Sequence, residues 1–226
     1  GAGVVVQERF SAARMMDTLK QGRTPCLVAV PSQLLLMLEL AARRAIAPMQ
    51  DVRLILISGA RWMRDRTAEL QALFPKARIV EFYGASETSF MAWMDANASA
   101  PPNAVGKPFG NVEIDIRHPT PPLGTGQIFV RSPMLFMDYV GAAPDATAAL
   151  RDGDWLSVRD MGRLDAQGRL LAWAAWLTGG GSGAGYPTKS VLHSSWLPPT
   201  PGQTPTMASS TGTTGRRERA LHQLIT

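Results

Sequence analysis

A single cysteine, Cys26, is the only thiol in this chain of 226 residues. That excludes an internal disulfide and a cysteine-rich zinc site, and it suits a reducing compartment, so a cytoplasmic location is expected. No apolar run reaches the length of a membrane span. The opening, Gly1 to Gln7, is apolar but has no basic segment ahead of it and is too short for a secretory leader; it reads as a chain entered in mid-domain. Basic residues form no stripe interleaved with aromatics, which argues against nucleic-acid binding. The net charge is a modest +5, of which +3 falls in residues 171–226, where Lys189, Arg216, Arg217 and Arg219 stand against Glu218. The hydrophobic content of 45% is ordinary for a globular protein. The length allows one large domain or two small ones.

The apolar pattern alternates between strand and helix periods up to residue 87. Ala12, Met15, Met16 and Leu19 fall at helical spacing within a predicted helix from Glu8 to Lys20. Cys26-Leu27-Val28-Ala29-Val30 is a continuous apolar run, expected to be a strand covered on both faces. Ser32 is the expected N-cap of a second helix marked by Leu34, Leu35, Leu38, Ala41 and Ala45, with Pro48 ending it. Leu54 to Ile57 is the next strand, followed by Ser58-Gly59-Ala60. Met63, Leu70, Leu73 and Phe74 give a third helix, and Ile79 to Phe82 a third strand. This order predicts an α/β fold with a parallel sheet. After Asn97 the texture changes. A Pro/Ala/Ser stretch, Ala98 to Pro102, leads to a turn at Val105-Gly106-Lys107-Pro108. A strand alternating at Val112, Ile114 and Ile116 follows, and another covers Gln127 to Arg131. Residues 1–97 are therefore expected to form an α/β subdomain and 98–171 a small antiparallel, barrel-like β subdomain. Residues 172–226 read as a low-complexity tail, disordered or non-native.

The chemistry concentrates at Glu81-Phe82-Tyr83-Gly84-Ala85-Ser86-Glu87-Thr88-Ser89, which reads as the loop leaving the third strand. Gly84 permits a turn or a close approach to a ligand. Ser86 can hydrogen-bond a phosphate oxygen, and Glu87 offers the hard oxygen that Mg²⁺ prefers when it shares the ion with substrate phosphates. Tyr83 offers a flat face for a base. Such a group at the carboxyl end of a strand suits a magnesium–nucleotide site. The alternative is a polar turn into a helix, with Glu87 favourable at the helix N-terminus.

In its order of motifs the chain resembles the adenylate-forming superfamily, and most of all its fatty or aryl acid–CoA ligases. The shared Tyr-Gly-x-Thr-Glu motif is similar to Tyr83-Gly84-Ala85-Ser86-Glu87, with serine keeping the hydroxyl. Val30-Pro31-Ser32 resembles the segment beside the acyl pocket, which makes Val30, Pro31 and Phe90 candidate pocket residues. Ser58-Gly59-Ala60 resembles the turn that borders the adenine. Val105-Gly106-Lys107-Pro108 is similar to the family's Val-Gly-x-Pro. Trp155 to Asp165 resembles Trp-x-x-Thr-Gly-Asp-x-Gly-x-x-Asp, whose central aspartate accepts from both ribose hydroxyls; that residue is Asp160. Two departures stand beside it, Val158 for threonine and Arg159 for glycine. Without the resemblance, Asp160 reads as a loop carboxylate paired with Arg159 or Arg163.

What the resemblance implies is a two-step ligation. A carboxylic acid attacks ATP to give an acyl-adenylate and pyrophosphate, and coenzyme A then displaces AMP. Glu87 would hold Mg²⁺ and act with Ser86 in catalysis, while Glu81 through Ala85, the Ser58–Ala60 turn and Asp160 would bind the nucleotide. The family's Ser/Thr/Gly-rich phosphate loop ending in lysine does not occur between Gly1 and Tyr83, and beyond Leu171 neither the hinge nor the late lysine appears. Codon degeneracy permits the segment from Trp173 to be a frameshifted form of the hinge; a genuine extension is the alternative. The chain is accordingly expected to be an inactive fragment of a ligase, with a carrier-loading adenylation domain and a non-catalytic nucleotide-binding remnant as alternatives. Apolar surface left by the missing parts is expected to favour association.

Overall fold

The computed structural model describes residues 3–96, 99–101, 103–140 and 146–173. The predicted tail beyond Trp173, with its tryptophans and Gly179-Gly180-Gly181, lies outside the described residues.

Three helices and three strands alternate first. They are α1 (Ala12–Lys20), β1 (Cys26–Ala29), α2 (Pro31–Arg43), β2 (Leu54–Ile57), α3 (Thr67–Leu73) and β3 (Arg78–Ala85). The pairings β1–β2 and β2–β3 are parallel, with Cys26 beside Leu54 and Leu54 beside Arg78. Packing rather than propensity holds this part together. Leu34 and Met37 of α2, Leu70 and Phe74 around the end of α3, and Ile55 and Ile57 of β2 are all almost fully buried in one cluster. Each such side chain contributes about 1.5–3 kcal/mol through burial.

The chain then turns back. β4 (Ser89–Asp95) runs antiparallel to β3, and β5 (Ala104–Pro108) follows it. β6 (Glu113–Thr120) and β7 (Thr125–Arg131) form a hairpin. β8 (Arg151–Asp152), β9 (Trp155–Leu156), β10 (Met161–Leu164) and β11 (Leu170–Trp173) complete the antiparallel part. Hydrogen bonding runs β1-β2-β3-β4-β5-β11-β10-β7-β9-β8, with β6 on the far side of β7. The result is a mixed α/β sheet joined through β5, with a second cluster of buried residues around Met91, Ile128, Val130 and Leu170.

Five local expectations need correction. β1 is covered on one face only: Leu27 and Ala29 are buried, but Cys26 and Val28 are exposed, Val28 by 62%. It is an edge strand, and the helices pack on one side of it. Ser32 is not the cap of α2. The fixed φ of Pro31 suits the first helical position, so the cap falls two residues earlier, at Val30, whose N–H donates to Gln33 Oε1 at 3.0 Å. Nor does α2 run to Pro48. It closes in a reverse turn with Ala45 at φ 47°, where the N–H of Ile46 bonds the carbonyl of Ala41 at 3.0 Å. Val105 to Pro108 lies in β5 rather than in a turn. Finally, Tyr83, Gly84 and Ala85 are not in a loop. They extend β3, because the alternating residues of Ser89 to Trp93 give that stretch an antiparallel partner, with Phe82 opposite Trp93 and Tyr83 opposite Ala92.

Candidate nucleotide site

The motif residues sit at a hairpin rather than at a strand-to-helix junction. Ser86-Glu87-Thr88 is the turn between β3 and β4. Thr88, fully buried, pins it: its Oγ1 accepts from the N–H of Ala85 at 3.0 Å, and its own N–H bonds the carbonyl of Ala85 at 3.2 Å. The strand bulges between Tyr83 and Gly84. There a Cβ on Gly84 would lie 1.8 Å from the carbonyl oxygen of Ser89, so the close approach that requires glycine is to the partner strand, not to a ligand. Ser86 is exposed and Glu87 half-buried. Glu87 is anchored twice: its carbonyl accepts from the N–H of Phe136 at 2.9 Å, and its Oε1 accepts from the hydroxyl of Tyr139. Tyr139 belongs to a segment whose sequence reads only as scaffold.

Tyr83 and Asp160 meet although 77 residues separate them: the phenol donates to Asp160 Oδ2. Burial, and then the Asp160 charge, push the Tyr83 hydroxyl well above the usual tyrosine range. The partner of Asp160 at this bond is therefore neither Arg159 nor Arg163. Asp160 is held by its backbone, whose carbonyl accepts from the N–H of Ile128 on β7 at 2.8 Å. The preceding turn is fixed by Ser157, nearly fully buried, whose Oγ accepts from the N–H of Arg159 at 3.0 Å and from Gln127 Nε2 at 2.9 Å. Arg159 itself has φ 69° and an exposed side chain.

Beside the end of β3, Ser58-Gly59-Ala60 leaves the neighbouring β2 as a turn with Gly59 at φ 80°. Gly59 and Ala60 are exposed, and a Cβ on Gly59 would lie 3.1 Å from Val30 Cγ1. Downstream, Arg64 Nε donates to Glu81 Oε1 at 3.0 Å. Burial pushes the Glu81 carboxyl up while Arg64 holds it down. Burial, and then the charge of Arg64, lower Arg61. The sequence offers no local signal for the pairing of Arg64 with Glu81.

Of the pocket candidates, Pro31 is buried at the start of α2, whereas Val30 and Phe90 are 38% and 41% exposed. Phe90 packs at a tilt between Phe82, 5.0 Å away, and Phe109, 5.7 Å away. Leu34 and Met91, residues expected to be core, are buried.

Chemically, the arrangement sets an aromatic ring and a carboxylate side by side, with an open glycine turn leaving the neighbouring strand and a half-buried carboxylate and an exposed serine at the hairpin tip. One carboxylate suits an ion bound chiefly by substrate phosphates and water. Among the described residues no group of three or more His, Cys, Asp or Glu side chains could hold a metal, and no helix is long and apolar enough to cross a membrane.

Comparison with known proteins bears on this arrangement. A family model described as AMP-binding enzyme matches residues 1–140. An uncharacterized acyl–CoA ligase, YhfT of Bacillus subtilis (strain 168), is 35% identical over 176 residues, covering 75% of this chain and 34% of the relative. The indoleacetate–CoA ligase of Aromatoleum aromaticum is 30% identical over 176 residues, with the same coverage of 75% and 34%. Among solved structures, the amide bond synthetase McbA from Marinactinospora thermotolerans superposes with a TM-score of 0.62 at 26% identity, over 74% of this chain and 34% of that one. The chain thus spans about a third of the length of the curated relatives it matches.

Proposed function

The chain belongs to the AMP-binding enzyme family, and on that premise we propose that it is the nucleoside-binding part of an ATP-dependent acid–CoA ligase. The observation that carries the proposal is the contact between Tyr83 and Asp160. It brings a base-sized ring next to a carboxylate able to accept from two ribose hydroxyls at once. In this assignment Tyr83, Gly84 and Ala85 form one wall of the adenine slot, continued by Phe82, and the Ser58-Gly59-Ala60 turn forms the other. Asp160 takes the ribose. Ser86 and Glu87 face the phosphates, with Glu87 as the protein ligand of Mg²⁺, which supplies charge neutralisation when bound. Val30, Pro31 and Phe90 border the acyl group. Catalysis of this kind rests on positioning and on neutralising phosphate charge, and that is what these residues offer.

The complete ligase would take a carboxylic acid, ATP and coenzyme A. The 226-residue chain by itself is proposed to bind nucleotide without ligating. Calorimetry with AMP tests the binding. The wild-type chain should bind, and Asp160→Asn, which cannot accept two charge-assisted bonds, should bind about tenfold more weakly or worse. Absence of AMP binding to the wild-type chain would overturn the assignment. Pyrophosphate release from ATP and mixed acids should be undetectable; turnover that disappears in Glu87→Ala would overturn the claim of inactivity.

A further inference from the structure

We propose that Glu81 is a positioning residue, whose carboxylate ties the Ser58–Arg64 loop to β3 and so sets the width of the base slot. The inference rests on the nucleotide assignment above and names the device that spaces its two walls.

Glu81 lies two residues before Tyr83 on β3, and its side chain is 12% exposed. It accepts from Arg64 Nε at 3.0 Å. Arg64 follows Ala60 by four residues, so one carboxylate joins the loop that continues one wall to the root of the other. The rest of the loop is built to transmit that constraint. The Trp62 side chain is 1% exposed, and its indole N–H donates to Thr67 Oγ1 at 2.8 Å. Arg64 reaches three further anchors. It donates to the carbonyls of Ala104 at 2.9 Å and Pro101 at 3.5 Å, and it contacts Met94 Sδ at 3.1 Å. At its other end the N–H of Ser58 makes a long bond, to the carbonyl of Ala29 at 3.4 Å. The Glu81 end, with its short bond, is the firmer of the two. A buried ion pair is poor evidence of stabilisation, since an apolar pair of similar volume often does as well. What an apolar pair cannot do is hold the loop in register through a directed hydrogen bond.

That difference supplies the test. AMP affinity and the thermal midpoint are measured on the 226-residue chain, on Glu81→Gln, and on the double variant Glu81→Leu/Arg64→Met. Glu81→Gln leaves Arg64 without its carboxylate and should weaken AMP binding about tenfold, with native circular dichroism. The double variant removes the uncompensated charge, so its midpoint should return to within a few degrees of the wild type, while its AMP affinity stays about tenfold down. A double variant that binds AMP as the wild type does would make the pair a stability element and overturn the proposal. Wild-type affinity in Glu81→Gln would overturn it as well, and decides the matter alone if the double variant does not fold. A wild-type chain that binds no AMP overturns the nucleotide assignment itself; a wild type that binds beside variants that bind equally removes only the clamp.

Discussion

Replacing Arg159 by glycine should make this protein more stable. Arg159 has φ 69°, a left-handed backbone conformation. For a residue with a Cβ that conformation costs about 1–2 kcal/mol. The turn cannot relax out of it, because both sides are fastened: the Arg159 N–H to Ser157 Oγ at 3.0 Å, and the Asp160 carbonyl to the Ile128 N–H at 2.8 Å. The side chain is exposed, so little packing is lost on its removal. Glycine relieves the strain but brings extra freedom to the unfolded chain, which costs about 0.5–1 kcal/mol. The net gain is about 0.5–1 kcal/mol, or a rise of about 1–4 °C in Tm for a chain of this size. Arg159→Ala separates the causes, since it removes the charge and keeps the Cβ. It should stay within about 0.5 kcal/mol of the wild type. Urea midpoints and differential scanning fluorimetry on the three proteins measure this. If alanine stabilises as much as glycine, the charge beside Asp160 and not the backbone was the burden. If glycine destabilises, the turn is not strained, and the reasoning fails. The resemblance to adenylate-forming enzymes, which carry glycine at this point of the motif, acquires a physical cause if the experiment succeeds.

Three further outcomes follow from the geometry. Tyr83→Phe deletes the donor to Asp160 and should lower stability by about 1–2 kcal/mol in urea titration; an unchanged midpoint would mean that the bond contributes nothing. Gly84→Ala, whose Cβ would lie 1.8 Å from the Ser89 carbonyl oxygen, should lose at least about 3 kcal/mol or fail to fold, whereas Gly110→Ala, with nothing within 4 Å of the new Cβ, should change stability by less than about 0.5 kcal/mol. In alkaline titration followed by tyrosinate absorbance, with Tyr83→Phe as the reference, Tyr83 should ionise above the ordinary tyrosine range, because burial and the Asp160 charge hold its proton on. The native state then binds more protons than the unfolded chain above the ordinary tyrosine pKa of about 10, so stability should be full below that pH and fall as pH rises past it. A Tyr83 signal, taken as the difference from Tyr83→Phe, that appears in the ordinary tyrosine range before unfolding would contradict this.

Much of the fold is readable wherever the apolar period is strong. The stretches Leu54–Ile57 and Gln127–Arg131 fall in strands, and the turn formers of Asp165-Ala166-Gln167-Gly168 make a turn, with Asp165 Oδ1 accepting from the N–H groups of Gln167 and Arg169, each at 2.9 Å. Failures occur where a tertiary partner overrides the local pattern. The continuous run from Cys26 to Val30 looks doubly covered, yet exposure of Val28 depends on which faces the helices occupy, and that is not written in the run itself. Gly84 and Gly106 look like turn formers, but each serves a close strand contact: a Cβ on Gly106 would lie 1.9 Å from the Trp93 carbonyl oxygen. At the candidate site, Tyr83 and Asp160 are legible as separate motifs. Arg64, Thr88 and Tyr139 are not, because each acts through a residue that only the folded chain brings near.

The spacing between Tyr83 and Asp160 is a property of the backbone. From Tyr83 on β3 the ladder passes to Ala92 on β4, then from Trp93 to Lys107 on β5, from Gly106 to Leu170 on β11, and from Ala172 to Gly162 on β10, two residues after Asp160. Two of the close crossings on this path use glycine. A Cβ on Gly106 would collide with the Trp93 carbonyl, and one on Gly162 would lie 2.6 Å from the carbonyl oxygen of Leu171. The strands can then lie near enough for the register to carry from Tyr83 to Asp160. A ring and a carboxylate placed this way would lose little freedom on binding the proposed nucleoside, so binding would not have to supply their ordering. Glu87 differs. It stands on a turn held by Phe136 and Tyr139, outside that ladder. Substitutions along the ladder should therefore weaken nucleoside binding with or without phosphates, whereas Glu87→Ala should matter only when magnesium and phosphates are present. AMP without metal, compared with ATP and Mg²⁺, separates the two, and a Glu87→Ala chain that loses metal-free AMP binding would show that the hairpin tip and the slot are one unit after all.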